Sequence, residues 1–447
     1  MNGILLDSGF QRAAGWCEGA IRTDRSTRER PVTNQDGDRP IQRTEWAGIP
    51  ATWVAPRENL YLSSLIRDGR FLFIRKTRIG VINMSTIHRA YNFNAGPSAL
   101  PLSALEKAQA ELLNFCCTGM SLLEMSHRSK EYEAVHNHTI ALLRELLTIP
   151  EDYEVLFLQG GASLQFAMVP MNFLPAGKKA AYVTTGAWSE KALAEAKKLG
   201  DTQEAATTKP TNHNRIPAAA ELKYDADAAY LHITSNNTIF GTQWREFPDT
   251  GAVPLIADMS SDILSRPFDV RKFSLIYAGA QKNLGPAGVT LVIVKKDFLA
   301  TANPNIPTML RYGTFAKENS LYNTPPTFGI YLMGLVLDWI KGEGGLPAIT
   351  RRNEEKAALI YDAIDASQGF YKGHAEPAAR SRMNITFRLP NEELEKKFLA
   401  EAKLSGFVGL AGHRSVGGCR ASAYNAVPVE ACQALRDLML KFQKENA

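Results

Sequence analysis

From about residue 84 onward, short apolar runs alternate with segments whose apolar residues recur every three or four positions. The runs at 154–158, 180–184, 229–234, 255–258, 275–278 and 289–294 have strand length. The segments 102–115, 132–147, 188–199 and 328–341 carry the helical period. Alternation of this kind predicts an α/β fold, with a mainly parallel sheet and helices on both faces. Gly342-Glu343-Gly344-Gly345 reads as a boundary. The helix, strand and helix patterns after it predict a smaller α/β C-terminal domain. We therefore expect an N-terminal segment and large domain over 84–344 and a small domain over 345–447.

Residues 1–83 read differently. They show short apolar patches but no sustained period, and twelve of their thirteen basic residues are Arg. They carry a net charge of +4, against +1 for the other 364 residues. Acidic residues throughout argue against a transit peptide, and there is no apolar core followed by a cleavage site. We expect a disordered N-terminal extension, or sequence lying upstream of a start at Met84. The rival is an Arg-rich arm that binds an anionic partner.

Composition narrows the class. Among 447 residues, 45% are hydrophobic and 22% charged, as in a globular protein large enough for two domains. The near-neutral charge after residue 83 gives no basic face for nucleic acid. No apolar run is long enough to cross a bilayer. The five cysteines have neither metal-ligand spacing nor an even disulfide framework, which suits a reducing cytoplasm.

Three strand ends carry candidate chemistry. In Tyr277-Ala278-Gly279-Ala280-Gln281-Lys282-Asn283, a lysine follows a buried strand and small residues. An apolar setting lowers an amine's pKa, and small neighbours admit a flat aldehyde cofactor to which the lysine can bond covalently. Lysines at strand turns are common, so this stretch alone decides little. In Leu255-Ile256-Ala257-Asp258-Met259-Ser260-Ser261, a strand ends on a carboxylate that needs a cationic partner. In Phe157-Leu158-Gln159-Gly160-Gly161-Ala162-Ser163, a strand meets a glycine turn and a helix start, where free N–H groups suit a phosphate.

Seven segments, in order, resemble the phosphoserine aminotransferase family, fold-type I, class V enzymes dependent on pyridoxal 5'-phosphate (PLP). They are Phe93-Asn94-Ala95-Gly96-Pro97, Glu124-Met125-Ser126-His127-Arg128, Ala257-Asp258-Met259-Ser260-Ser261, Ile263-Leu264-Ser265-Arg266-Pro267, the lysine segment 277–283, Tyr322-Asn323-Thr324-Pro325-Pro326-Thr327 and 412–422. The resemblance spans almost everything after residue 83. It implies a mainly parallel seven-stranded sheet plus a smaller domain, and a cytoplasmic homodimer with sites at the subunit interface.

The resemblance also implies roles. Lys282 would hold PLP and shuttle a proton as catalytic acid and base. Asp258 would pair with the ring nitrogen, Trp188 stack on the ring, and Thr238 bond its 3-oxygen. Ala162, Ser163 and Gln281 would hold the phosphate. Some members have Gly-Arg where Ala162-Ser163 stand, so a contact from that arginine is lost. Asn323 and Thr324 would reach the neighbouring subunit's phosphate, although a plain helix cap before Pro325 explains them too. Arg420 would grip the α-carboxylate. His127, Arg128, His413 and Arg414 would bind the substrate phosphate or the glutamate side chain. Ala95 replaces a Ser of some members, leaving a backbone contact there. The implied reaction moves the amino group of L-glutamate to 3-phosphohydroxypyruvate, giving O-phospho-L-serine and 2-oxoglutarate. Some members also form 4-phosphohydroxy-L-threonine for vitamin B6, and whether this chain does so stays open. So do another class V enzyme, such as an alanine–glyoxylate aminotransferase, and a cysteine desulfurase. Against the last, Cys419 sits in apparent wall rather than on a mobile loop.

Overall fold

The computed structural model describes residues 89–447. The expectations for residues 1–83 and for a start at Met84 lie outside the described residues. Seven strands form the central sheet: β1 (Tyr153–Leu158), β2 (Ala180–Thr184), β3 (Thr202–Thr207), β4 (Tyr230–Thr234), β5 (Leu255–Asp258), β6 (Leu275–Gly279) and β7 (Thr290–Lys295). Their order is β1-β7-β6-β5-β4-β2-β3. Only β7 runs against the rest, pairing antiparallel with both neighbours.

The sheet is buried on both faces, which explains the unbroken apolar runs. Alternate residues enter opposite cores. Val155, Phe157, Leu231, Ile233, Ala257 and Ile276 face one core, which the helices Lys130–Leu147 and Thr327–Gly342 close. Leu156, Tyr182, Tyr230, Ile256, Tyr277 and Val292 face the other, closed by Gly161–Phe173 and Ala187–Ala196. Each fully buried Leu, Ile or Val contributes about 1.5–3 kcal/mol.

A third core surrounds a three-stranded sheet made of Lys372–Gly373, Asn384–Arg388 and Cys419–Ser422. The helices Gly345–Asp365, Glu392–Leu404 and Val429–Asn446 cover it. Phe93 is fully buried there, and the strand Tyr91–Asn92 pairs with Phe407–Val408. The first described residues thus pack with the last hundred. Lys356 ties this region to the chain beyond its sheet. It is fully buried, and its Nζ donates to the carbonyls of Ala423, Tyr424 and Val427 at 3.1, 2.6 and 3.1 Å. Those three acceptors match the three donors of an ammonium, while burial pulls its pKa down to about 7.

Several elements differ from expectation, and the helix expected at 188–199 ends at Ala196. The first helix is Leu102–Glu111 rather than 102–115. Beyond it the Asn114 side chain accepts the Gly119 N–H at 2.8 Å, competing with helical continuation. The second begins at Lys130, because the Ser129 hydroxyl caps it by accepting from Tyr132 N. Strand β3 lacks an apolar run. It is an edge strand with one buried residue, so its sequence, TQEAAT, shows no strand signal.

Candidate active site

Five of the candidate groups stand at the C-terminal ends of the codirectional strands, where ligands bind in open α/β sheets. Trp188 follows β2, Thr238 follows β4, Asp258 ends β5, Lys282 follows β6, and the glycine turn follows β1.

Lys282 Nζ donates to Thr238 Oγ1 at 2.7 Å and lies 5.4 Å from the Trp188 ring centroid. Burial pulls its pKa down to about 8, against the opposing pull of Asp258; Arg420 lowers it further. The turn that carries it is pinned on two sides. Ser98 N donates to Gln281 O at 3.0 Å, and the Ser98 hydroxyl bonds the Lys282 carbonyl. Gly96 has φ +137° and a Cβ there would stand 3.0 Å from Lys282 Cγ, so that loop admits only glycine beside the lysine stem. Asn283 is held in turn, accepting Asn425 N at 2.9 Å and donating to Ile263 O at 2.7 Å.

Asp258 is buried and accepts Ser260 N at 2.9 Å and Ser260 Oγ at 2.6 Å, both on Oδ1. Burial raises its pKa, with Lys282 and the Ser260 bonds opposing. Among the described residues no cation lies within ion-pair distance of this carboxylate. Beneath it sits Asp262, which sequence reasoning passed over. It is bonded by the Ser235 hydroxyl and by Gln243 Nε2, and the same Ser235 hydroxyl donates to Asp258 O. Its signal was present, as an acid four residues after Asp258.

The residues fit PLP. A buried carboxylate without a cation suits a protonated ring nitrogen. Trp188 Nε1 is buried without a hydrogen-bond partner. The helix Gly161–Phe173 starts from Gly160 at φ +83° with no side-chain cap, so the Ala162 and Ser163 N–H groups have no helical acceptor. Gln281 folds back against Gly279, whose added Cβ would meet its Oε1 at 2.7 Å. The Ala95 carbonyl accepts Tyr424 OH at 2.9 Å.

Cations collect at the rim. Arg420 Nη1 donates to Thr238 O at 3.3 Å, while its Nε is buried without a partner. Burial lowers the pKa of His413, and Arg420, Arg414 and Lys191 lower it further, so these four groups share one field. Lys191, which sequence reasoning missed, stands 4.5 Å from the Trp188 centroid, one helical turn on from it. Arg414 is exposed. His127 and Thr324 meet elsewhere, with Nδ1 and Oγ1 3.2 Å apart; His127 Nε2 is buried and unpartnered. Gln159 Nε2 donates to Thr324 O at 3.3 Å, and Asn323 Nδ2 donates to the same carbonyl at 3.3 Å. Within one chain, then, no bond joins His127, Arg128, Asn323 or Thr324 to Lys282. Cys419 is buried, and burial raises its thiol far above the ordinary range, which removes it as a nucleophile.

Residues 90–435 match the family model described as aminotransferase class-V. A phosphoserine aminotransferase of Lysinibacillus sphaericus is 67% identical over 358 residues, 80% of this chain and 99% of the relative. The structure of phosphoserine aminotransferase from Bacillus circulans subsp. alkalophilus superposes with a TM-score of 0.79 at 60% identity, covering 80% of this chain and 99% of that one. A PLP-bound phosphoserine aminotransferase from Trichomonas vaginalis gives 0.76 at 42% identity, covering 79% and 100%.

Proposed function

The chain belongs to the aminotransferase class-V family, and we propose that its activity is that of a phosphoserine aminotransferase. It transfers the amino group of L-glutamate to 3-phosphohydroxypyruvate, reversibly, with PLP as cofactor. The observation that carries this reading is the meeting of two chemistries near the C-terminal edge of the main sheet. Lys282, Asp258 and Trp188 form a floor for the cofactor, and Arg420, His413 and Arg414 form a cationic rim for a doubly anionic substrate. Bound PLP supplies an electron-accepting ring that stabilises negative charge at the substrate α-carbon. Asp258 would hold that ring's nitrogen protonated, and Lys282 would hold the cofactor covalently. Its pKa, pulled down to about 8 by burial, lies close enough to neutral for the amine to serve as both acceptor and donor of the α-proton. Thr238, which accepts from Lys282 Nζ at 2.7 Å, would bond the ring's 3-oxygen. Arg420 takes the α-carboxylate, and its buried Nε is a donor that the protein leaves unmatched. His413 and Arg414 take the phosphate.

The working form is a homodimer. Asn323, Thr324, His127 and Arg128 make a separate patch that donates to the partner's site, which accounts for the unpartnered His127 Nε2. The site of action is the cytoplasm. Among the described residues no helix is long and apolar enough to cross a membrane. The test runs the reaction backwards: purified protein with PLP, O-phospho-L-serine and 2-oxoglutarate should release glutamate. No glutamate from phosphoserine, with brisk release from alanine, would overturn the reading.

A further inference from the structure

The segment Gly412–Gly418 presents His413 and Arg414, yet little of it is packed. It is a closed hairpin. Ala411 and Cys419 bridge at its base, and Gly412 N donates to Gly418 O at 2.8 Å. Val416 N and Gly417 N both donate to His413 O at 2.9 Å, which tightens the tip. A cavity of about 170 Å³ lies against its inner side, between Val416, Gly417 and Phe240. Apolar packing therefore does not fix the hairpin. Among the described residues one side chain from outside hydrogen-bonds it: Arg388, at the end of the neighbouring strand Asn384–Arg388, donates from Nη1 to Val416 O at 2.8 Å.

Arg388 is itself held. Its Nε donates to Glu395 Oε1 at 2.5 Å, and Glu395 is 7% exposed. Gly417 and Gly418, both at φ +69°, lie against the guanidinium and its stem, and a Cβ at Gly418 would collide with Arg388 Cδ. The planar fork bonds the acid through Nε and the hairpin carbonyl through Nη1, two donors held in fixed and different directions by one guanidinium. We propose that Arg388, buttressed by Glu395, is a positioning residue that latches the Gly412–Gly418 hairpin in its anion-binding form and so sets affinity for the phosphorylated substrate. The proposal rests on the phosphate role given above to His413 and Arg414. A dianionic phosphate needs both groups in place, so its KM suffers more than that of glutamate, with its singly charged side chain.

The test uses the PLP-loaded enzyme and three variants. Arg388→Met should raise the KM for 3-phosphohydroxypyruvate about tenfold, the worth of one hydrogen bond to a charged group, with kcat within about twofold. It should also speed tryptic cleavage after Arg414 about tenfold, read by intact mass, because the freed hairpin opens more often. Glu395→Gln, which keeps Arg388 but removes its charged buttress, should give the same changes at lower amplitude and covers the case of poor folding in the first variant. Unchanged KM and unchanged cleavage in both, with Arg414→Ala still raising the KM, would overturn the latch alone. An Arg414→Ala enzyme with normal KM would instead overturn the phosphate reading beneath it.

Discussion

The floor and the rim of this site are built by opposite means. On the floor, Asp258, Thr238 and Lys282 stand at the ends of strands or one turn beyond, and neighbours bond them on several sides. At the rim, Arg414 is exposed on a glycine-rich hairpin, and His413 bonds chiefly to its own turn, through Ser415. Chemistry that must place a proton within a fraction of an ångström is fixed by buried backbone. On the proposed reading, recognition of a mobile anion is left to a loop that a rigid scaffold carries. Damage to the floor should therefore abolish turnover, and damage to the rim should change selectivity.

Substitution of the lysine gives the largest effect. Lys282→Ala should cut turnover by about 10³-fold or more, since both the covalent hold and the acid–base group are lost. Ordinary turnover in a rapid-quench assay would break the floor's assignment. Next comes stability. Lys356→Met leaves three buried carbonyls without donors and should lower the unfolding free energy by about 2–4 kcal/mol, measured by urea denaturation. A neutral result would mean that region tolerates unmet acceptors. Arg414→Ala is smaller, because the side chain is exposed. We expect about a tenfold rise in the KM for 3-phosphohydroxypyruvate, about 1.4 kcal/mol, and a lesser rise for glutamate. Equal rises would blur the distinction between phosphate and carboxylate binding.

The subtlest effect is on pH. Because burial depresses the Lys282 pKa, the amine is charged below about pH 8 and free above it. The free amine is the nucleophile, so the rate at which cofactor-free protein captures PLP should climb between pH 7 and 9 and level off above. Stopped-flow absorbance would show the midpoint. A midpoint near 10.5, the ordinary value, would mean that the amine is not desolvated.

The same contrast governs what the sequence discloses. Six of seven sheet strands are legible because both faces are buried and the runs are apolar. The seventh, Thr202–Thr207, sits at an edge with a polar surface and reads as a loop. Lys282, Asp258 and the glycine turn stand out because a charge or a glycine pair interrupts an apolar run. Asp262 and Ser235 do not, since their meaning comes from a bond across 27 residues. Arg388 looks like a surface arginine until the register Phe387↔Cys419 brings it beside the hairpin. Lys191 is one lysine among many until the helix lays it over Trp188. Short-range patterns fix the floor, whereas the rim's supports are long-range contacts that no local pattern encodes.

The most direct measurement isolates the step in which floor and rim act together. The enzyme would be charged with amino groups from glutamate, freed of excess donor, and mixed with single keto acids, with the amino acid formed followed by mass spectrometry. Rapid formation of phosphoserine from 3-phosphohydroxypyruvate, with little alanine from pyruvate or glycine from glyoxylate, is the predicted result. Equally rapid formation of alanine or glycine would contradict it, leaving the cofactor floor intact and the phosphate-binding rim without a role.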